Sequence, residues 1–267
     1  MSKKISAAIV TFQRYEKARA TIDSLLRFSD DGAMSLYVVD NASGDGTAER
    51  LQEEFSSVTV IQNPENGGFG YGHNTVLDII DSEYHAVINP DILIDRDVLT
   101  EIVEYMDKNP DIGLVTPKIL NADKSDQMLP KRDPVVLALV GRRIFAGLLK
   151  KQVAHYQMLD KDLGVATDIE YSTGCFFVIR TDLFKEIGGF DPHFFMYYED
   201  MDISRRARQK ARVVYYPGTQ VCHIWERDSA KSLKYFVVLV VGMFKYFNKW
   251  GWKFRYNKKE MSSEGAK

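Results

Sequence analysis

Four short apolar runs separated by helix-length segments constrain this chain's fold more than any other feature. Residues 5–10, 36–39, 58–61 and 86–88 each have the length and character of a buried strand. Helical patterning fills the gaps at about 15–28, 48–55 and 71–80. Such alternation predicts βαβ units, a mostly parallel sheet and an α/β class. Right-handed crossovers then gather the strand C-termini on one edge, where open α/β sheets bind ligands. The sequence puts four loops there: Thr11-Phe12-Gln13-Arg14, the turn-rich 41–47, the glycine-rich 63–70, and Asn89-Pro90-Asp91.

The second half is less regular. Residues 112–120 suggest strands broken by Pro117, and 130–168 mix Pro, basic and apolar residues without clean periodicity. A strand is expected over 171–179, a helix over 181–187, a helix over 196–209, and a strand over 213–216 stopped by Pro217-Gly218. No linker interrupts 1–228, which reads as one continuous domain followed by an appendage, 229–267.

Composition narrows the function. A net charge of −2 makes no global case for nucleic-acid binding. Two cysteines, Cys175 and Cys222, are too few for a disulfide framework, so a reducing cytosol is the default. The N-terminus passes straight into a core-like strand, which argues against a signal peptide. No apolar run reaches the ~20 residues needed to span a bilayer.

The acids carry the chemistry. A carboxylate at the end of a buried strand needs a cation or dense hydrogen bonding. Asp91 therefore reads as a hard-cation ligand for Mg²⁺ or Mn²⁺ against a diphosphate, with capping of a helix near Asp95 as the alternative. Asp40, at the end of strand two, is suited to a pyrimidine imide or to holding a loop. The run Asn66-Gly67-Gly68-Phe69-Gly70 lets backbone approach phosphates closely, although it matches neither GxGxxG nor a P-loop; His73 and Asn74 beyond it are equally open to structural roles. Glu199-Asp200-x-Asp202 opens a helix, where acids are favoured by the dipole. The surrounding aromatics Phe194, Phe195, Tyr197 and Tyr198 would desolvate a carboxylate and raise it toward a general base.

Taken in order, AAIVTFQR, VVDNASGDGT, NPENGGFGYGHN, NPD, TGCFFVIR, GGFDPHFFMYYEDMDISRR and the late His223 resemble the family 2 glycosyltransferases of the GT-A fold, most closely their bacterial rhamnosyltransferase branch. The likeness runs from Ile5 to about Trp225. It implies a Rossmann-like, mostly parallel mixed sheet flanked by helices, with a nucleotide-sugar half over 1–120 and an acceptor half over 121–228. It implies that Thr11, Phe12 and Arg14 line the nucleotide pocket, that Asp40 contacts the base, and that Asn66, Gly67 and Asn74 frame the ribose and diphosphate. Asn89-Pro90-Asp91 stands where the family carries Asp-x-Asp. Asn89 therefore falls on the donor side, leaving Asp91 as the main metal ligand and His223 as a second. Asp200 matches the catalytic base, with Glu199 as the fallback. Gly174, Cys175 and Tyr198 are expected on the acceptor side, and Cys175 is expected to pack rather than attack.

The resemblance implies inverting transfer, with dTDP-L-rhamnose the favoured donor; the appendage, 229–267, would fit a polyprenyl-diphosphate-linked glycan acceptor in cell-surface polysaccharide assembly. UDP-GlcNAc, UDP-galactose and UDP-galactofuranose are the rival donors, and a non-catalytic nucleotide-binding scaffold is the rival outside enzymes. The apolar run 235–244, followed by Trp, Phe and Tyr interleaved with Lys and Arg, is amphipathic and suits the inner face of a cell membrane; packing on the domain or on a second subunit, as in a homodimer, is the alternative. The expected location is cytoplasmic and peripheral.

Overall fold

The computed structural model describes residues 3–29, 34–127, 129–141, 147–225 and 233–263. The chain runs β1 (Ile5–Thr11), α1 (Tyr15–Phe28), β2 (Met34–Asp40), α2 (Thr47–Glu54), β3 (Thr59–Gln62), α3 (Phe69–Asn74), β4 (Tyr84–Ile88), β5 (Ile92–Leu93), α4 (Val98–Asp107) and β6 (Ile112–Leu120). It continues through α5 (Val136–Gly141), α6 (Lys150–Tyr156), β7 (Thr167–Asp168), β8 (Phe176–Arg180), α7 (Thr181–Glu186), α8 (Glu199–Arg208), β9 (Arg212–His223), α9 (Leu233–Trp250) and α10 (Lys258–Ser263). The expected boundary at 228/229 falls outside the described residues.

One sheet organises all of it, in the order β3-β2-β1-β4-β8-β6-β9-β5, with β7 on β9. The first four strands are parallel, and β8 enters antiparallel to both β4 and β6. The sheet is therefore mixed, and the strand ends of the two halves meet on one edge. Alternate residues face opposite layers, as the period of two requires. Ala7, Ile9, Val38 and Ala86 pack with Ala18, Ile22 and Leu25 of α1 and Val98 to Met106 of α4. Ala8, Val10, Val39 and Val87 pack with Phe184 of α7 and Ile203 and Ala207 of α8.

Several local expectations change. Pro117 and Pro217-Gly218 do not end their strands. Strand β6 stays paired with β9 from Ile112 to Leu120, and the register jumps from Pro117↔Tyr216 to Lys118↔Gln220. The extra residues of β9 are accommodated as a bulge, where a proline without a donor is tolerated. Strand β9 thus reaches His223. The helix expected over 71–80 is regular only to Asn74; Gly70 and Gly72 inside it allow close contact with Phe190 and Val10 but weaken a helix interior. The strand expected from residue 171 starts at Phe176, Tyr171 forming an isolated bridge to Lys131. The unpatterned 130–168 stretch contains α5 and α6, which pack with the appendage in a third apolar cluster that includes Tyr156, Phe194, Tyr198, Tyr246 and Phe247.

Candidate active site

Thr11 and Asp40 are register partners at the ends of β1 and β2. Asp40 is buried, and Ser43 occupies both its oxygens: the Ser43 N–H donates to Oδ2 at 2.9 Å and its hydroxyl to Oδ1. The Ser43 hydroxyl accepts from Gln13 N at 2.7 Å. Asp40 thus clasps the two loops together, which is the loop-holding role open to it. Thr11 Oγ1 is buried without a hydrogen-bond partner. Phe12 is exposed, and Arg14 stands at the N-cap of α1.

The glycine loop is held from below. Asn66 Oδ1 accepts from Gly68 N at 3.1 Å, and Asn41 Nδ2 donates to Gly68 O at 2.9 Å. Gly67 lies so close to the Tyr71 ring that an added Cβ would sit 2.4 Å from it. Asn74 Nδ2 donates to Phe190 O at 2.7 Å and its Oδ1 accepts from Phe190 N at 2.8 Å, so its amide ties the loop to the backbone just after the Gly188-Gly189 turn. His73 is fully buried between Phe69 and Phe190, and burial holds its pKa well below the usual range.

Asp91 has no capping duty, because Asp97 caps α4 by accepting from Thr100 N at 3.1 Å. Instead, β5 pairs with β9 and sets Ile92 beside His223, and His223 Nε2 stands 3.1 Å from Asp91 Oδ1. Neither atom has a hydrogen bond of acceptable angle. Burial opposes a charge on His223, but Asp91 and Cys175 outweigh it and push the imidazole up to about 10. The two form an ion pair, and a divalent cation held by both would displace the imidazole proton. Among the described residues no third His, Cys, Asp or Glu completes a protein cage, so diphosphate oxygens and water would supply the remaining ligands. Lys17 of α1 approaches Asp91 to 3.9 Å; nothing in its helical context singled it out.

Glu199 and Asp200 begin α8, in which all three acids lie in the first turn. Asp200 accepts from its neighbour Met201 N at 2.8 Å and from Gly174 N at 3.3 Å. Glu199 Oε2 has no partner. Burial raises both carboxyls; the two backbone donors and Lys131 restrain Asp200, whereas Asp200 raises Glu199 further. The pair is therefore uneven: burial and Asp200 push Glu199 well above the usual carboxylate range, while the backbone donors and Lys131 hold Asp200 back, which leaves Asp200 better suited to act as a base. Lys131 lies in the stretch that showed no pattern, so sequence reading missed it. Gly174-Cys175 joins the two centres: Gly174 reaches Asp200, while Cys175 neighbours His223 and its carbonyl accepts from Asn89 N at 2.9 Å.

Tyr198 is 5% exposed and packs against Tyr246 at 5.8 Å. Tyr197 and Tyr198 both have φ of +69°, an unusual conformation for bulky residues. Gly242 of α9 backs onto them; an added Cβ would lie 3.0 Å from Tyr198 Cδ2 and 3.1 Å from Tyr197 O. Helix α9 is also fastened to α8. Buried Asp202 accepts from Arg206 Nε at 2.8 Å, Trp250 Nε1 at 2.9 Å and Lys249 Nζ at 2.6 Å, and Lys249 also pairs with Asp191 at 2.6 Å. Asp202 was legible as an acid in the motif, but two of its partners, Lys249 and Trp250, come from the appendage.

Residues 6–188 match the model of Glycosyl transferase family 2. The chain belongs to that family. It is 22% identical over 219 residues to the N-acetylglucosaminyl-diphospho-decaprenol L-rhamnosyltransferase of Mycobacterium tuberculosis, covering 74% of this chain and 69% of that one. It is 24% identical over 211 residues to rhamnosyltransferase WbbL of Escherichia coli, covering 75% and 76%. Among solved structures it resembles GalNAc-T7, crystallised with UDP, GalNAc and Mn²⁺, at a TM-score of 0.65 and 15% identity. That match covers 84% of this chain but 44% of GalNAc-T7, and it carries the GT-A fold alone. This family 2 enzyme is a glycosyltransferase with rhamnosyltransferase relatives.

Proposed function

We propose that this glycosyltransferase moves L-rhamnose from dTDP-L-rhamnose, with inversion, to a hydroxyl of a polyprenyl-diphosphate-linked glycan. The observation that carries the reading is the Gly174-Cys175 dipeptide, which links the Glu199-Asp200 acid pair to the Asp91–His223 pair. A base and a candidate cation site so joined suit displacement of a nucleoside diphosphate by an acceptor hydroxyl. The named relatives support rhamnose and a lipid-linked acceptor.

Asp200 accepts the proton of the acceptor hydroxyl as that oxygen attacks the anomeric carbon. Gly174 N–H orients the Asp200 carboxylate, and Glu199 beside it, raised by burial and by Asp200, yields its proton less readily. Asp91 and His223 would hold a divalent cation, Mg²⁺ or Mn²⁺, which when bound supplies positive charge to the leaving diphosphate. The loops clasped by Asp40 and Asn41 enclose the nucleotide, with Phe12 at its mouth. The enzyme works in the cytoplasm at the inner membrane face, where such an acceptor is anchored.

Calorimetric titration with dTDP, UDP and GDP, each with and without Mn²⁺, tests the donor. The expected result is metal-dependent binding that favours dTDP. Preference for UDP would keep the enzyme class but replace rhamnose by a UDP-sugar, and no binding of any nucleotide would overturn the reading.

A further inference from the structure

Helix α9 has two working faces. Its inward face, with Gly242, Tyr246 and Phe247 buried, seats on α8 and the Tyr197-Tyr198 turn. On the outward face Leu233, Val237, Val241 and Phe244 are 79%, 53%, 45% and 49% exposed. Their spacing of four, four and three residues places them along one stripe. Beyond the helix, Trp252 and Phe254 are also exposed, and the Trp252 ring meets Phe244 at 5.3 Å. Exposed apolar residues are ordinary when scattered, but a continuous stripe marks a surface with an occupant.

Charge identifies the occupant. From Leu233 to Lys259 the sequence has no Asp or Glu. Lys234, Arg255 and Lys258 are exposed along the same segment. A second copy of the stripe would bring like charges together, whereas anionic headgroups would neutralise them. Among the described residues no helix is long and apolar enough to cross a membrane. An amphipathic helix with aromatics and cations at its end is suited to lying in the interface plane.

We propose that this stripe docks the enzyme in the plane of an anionic bilayer, with Trp252 and Phe254 at headgroup level. The Lys249–Asp202 and Trp250–Asp202 contacts then tie the base-bearing helix α8 to the element that touches lipid. This deepens the reading of a lipid-linked acceptor, on which it rests for its purpose.

The test is co-sedimentation of the full chain with vesicles of phosphatidylcholine and phosphatidylglycerol, against phosphatidylcholine alone. Wild type should prefer the anionic vesicles and lose binding several-fold in high salt, roughly as screening predicts. The double variant Val241→Glu/Phe244→Glu should bind at least about tenfold more weakly with an unchanged thermal midpoint. Should that variant unfold, Arg255→Gln/Lys258→Gln carries the test: it should bind less and with a flatter salt dependence. Wild type that stays in the supernatant, or variants that bind as wild type does, would overturn the proposal. A lipid-free dimer dissociated by Val241→Glu would assign the stripe to a second copy and overturn it equally. Vesicle binding needs neither donor nor acceptor, so its failure leaves the transfer reading standing, and failed transfer leaves docking standing.

Discussion

The backbone N–H of Gly174 addresses Oδ2 of Asp200 from 3.3 Å. An added Cβ on Gly174 would lie 3.1 Å from the Phe69 ring and 3.4 Å from Asp200 Cβ. The glycine therefore lets a strand-entry backbone come close enough to aim the carboxylate while the glycine loop packs against the same spot.

Asp200→Asn keeps the shape of the side chain and removes the base. Transfer should fall by about 10²–10⁴-fold, with nucleotide affinity nearly unchanged. Steady-state kinetics paired with calorimetry would check this, and wild-type turnover in the variant would move the base to Glu199.

Burial raises Glu199 well above the ordinary carboxylate range, so the folded state binds its proton more tightly than the unfolded chain does. The sign follows from linkage. Below the unfolded pKa, about 4.3, both states are protonated and there is no penalty. As pH rises from there toward the folded pKa, the unfolded state ionises first and stability declines. Glu199→Gln should flatten that decline and raise the melting temperature at neutral pH, as thermal melts across a pH series would reveal.

Lys249→Met removes the cation shared by Asp191 and the fully buried Asp202. Arg206 and Trp250 remain on Asp202, so the cost should be partial, about 1–3 kcal/mol. Urea unfolding would measure it. A drop in kcat with little change in donor KM would show that the fastening also positions α8.

Gly68 combines φ of +94° with a position where a Cβ would stand 1.9 Å from Phe195 O. Gly68→Ala should therefore cost about 2 kcal/mol or more and break the Phe69 N to Phe195 O bond of 3.0 Å. Loss of nucleotide binding at temperatures where the variant is still folded would confirm that the loop geometry, not stability alone, is at stake.

Sequence patterning made the first half of the sheet legible because buried parallel strands there are continuous apolar runs between helices of ordinary length. It also placed Asp91 at a strand end, which the pairing of β5 with β9 then brought to His223. Patterning failed where long-range contacts override local signals. Pro217-Gly218 looks like a stop, yet strand pairing carries β9 past it. Nothing local foretells that α9 packs against the Tyr198 ring. Asn74 reads as a ligand amide, and only the approach of Phe190, distant in sequence, occupies it. Lys17 and Lys131 have no local distinction and acquire one through neighbours contributed by other elements.

The pairing of the last strand has a biosynthetic consequence. Asp91 and His223 are separated by more than half of the domain, and β5 has β9 as its partner in the sheet. While the chain emerges from the ribosome, β1 to β4 can associate early through nearby contacts, but β4 waits for β8 on its open side and the Asp91–His223 pair waits for β9. Such late closure of distant contacts slows folding and leaves strand edges open in the nascent chain. A fragment ending near residue 120 would therefore behave as an aggregation-prone half-sheet, and Asp91 meets His223 only after β9 has been made.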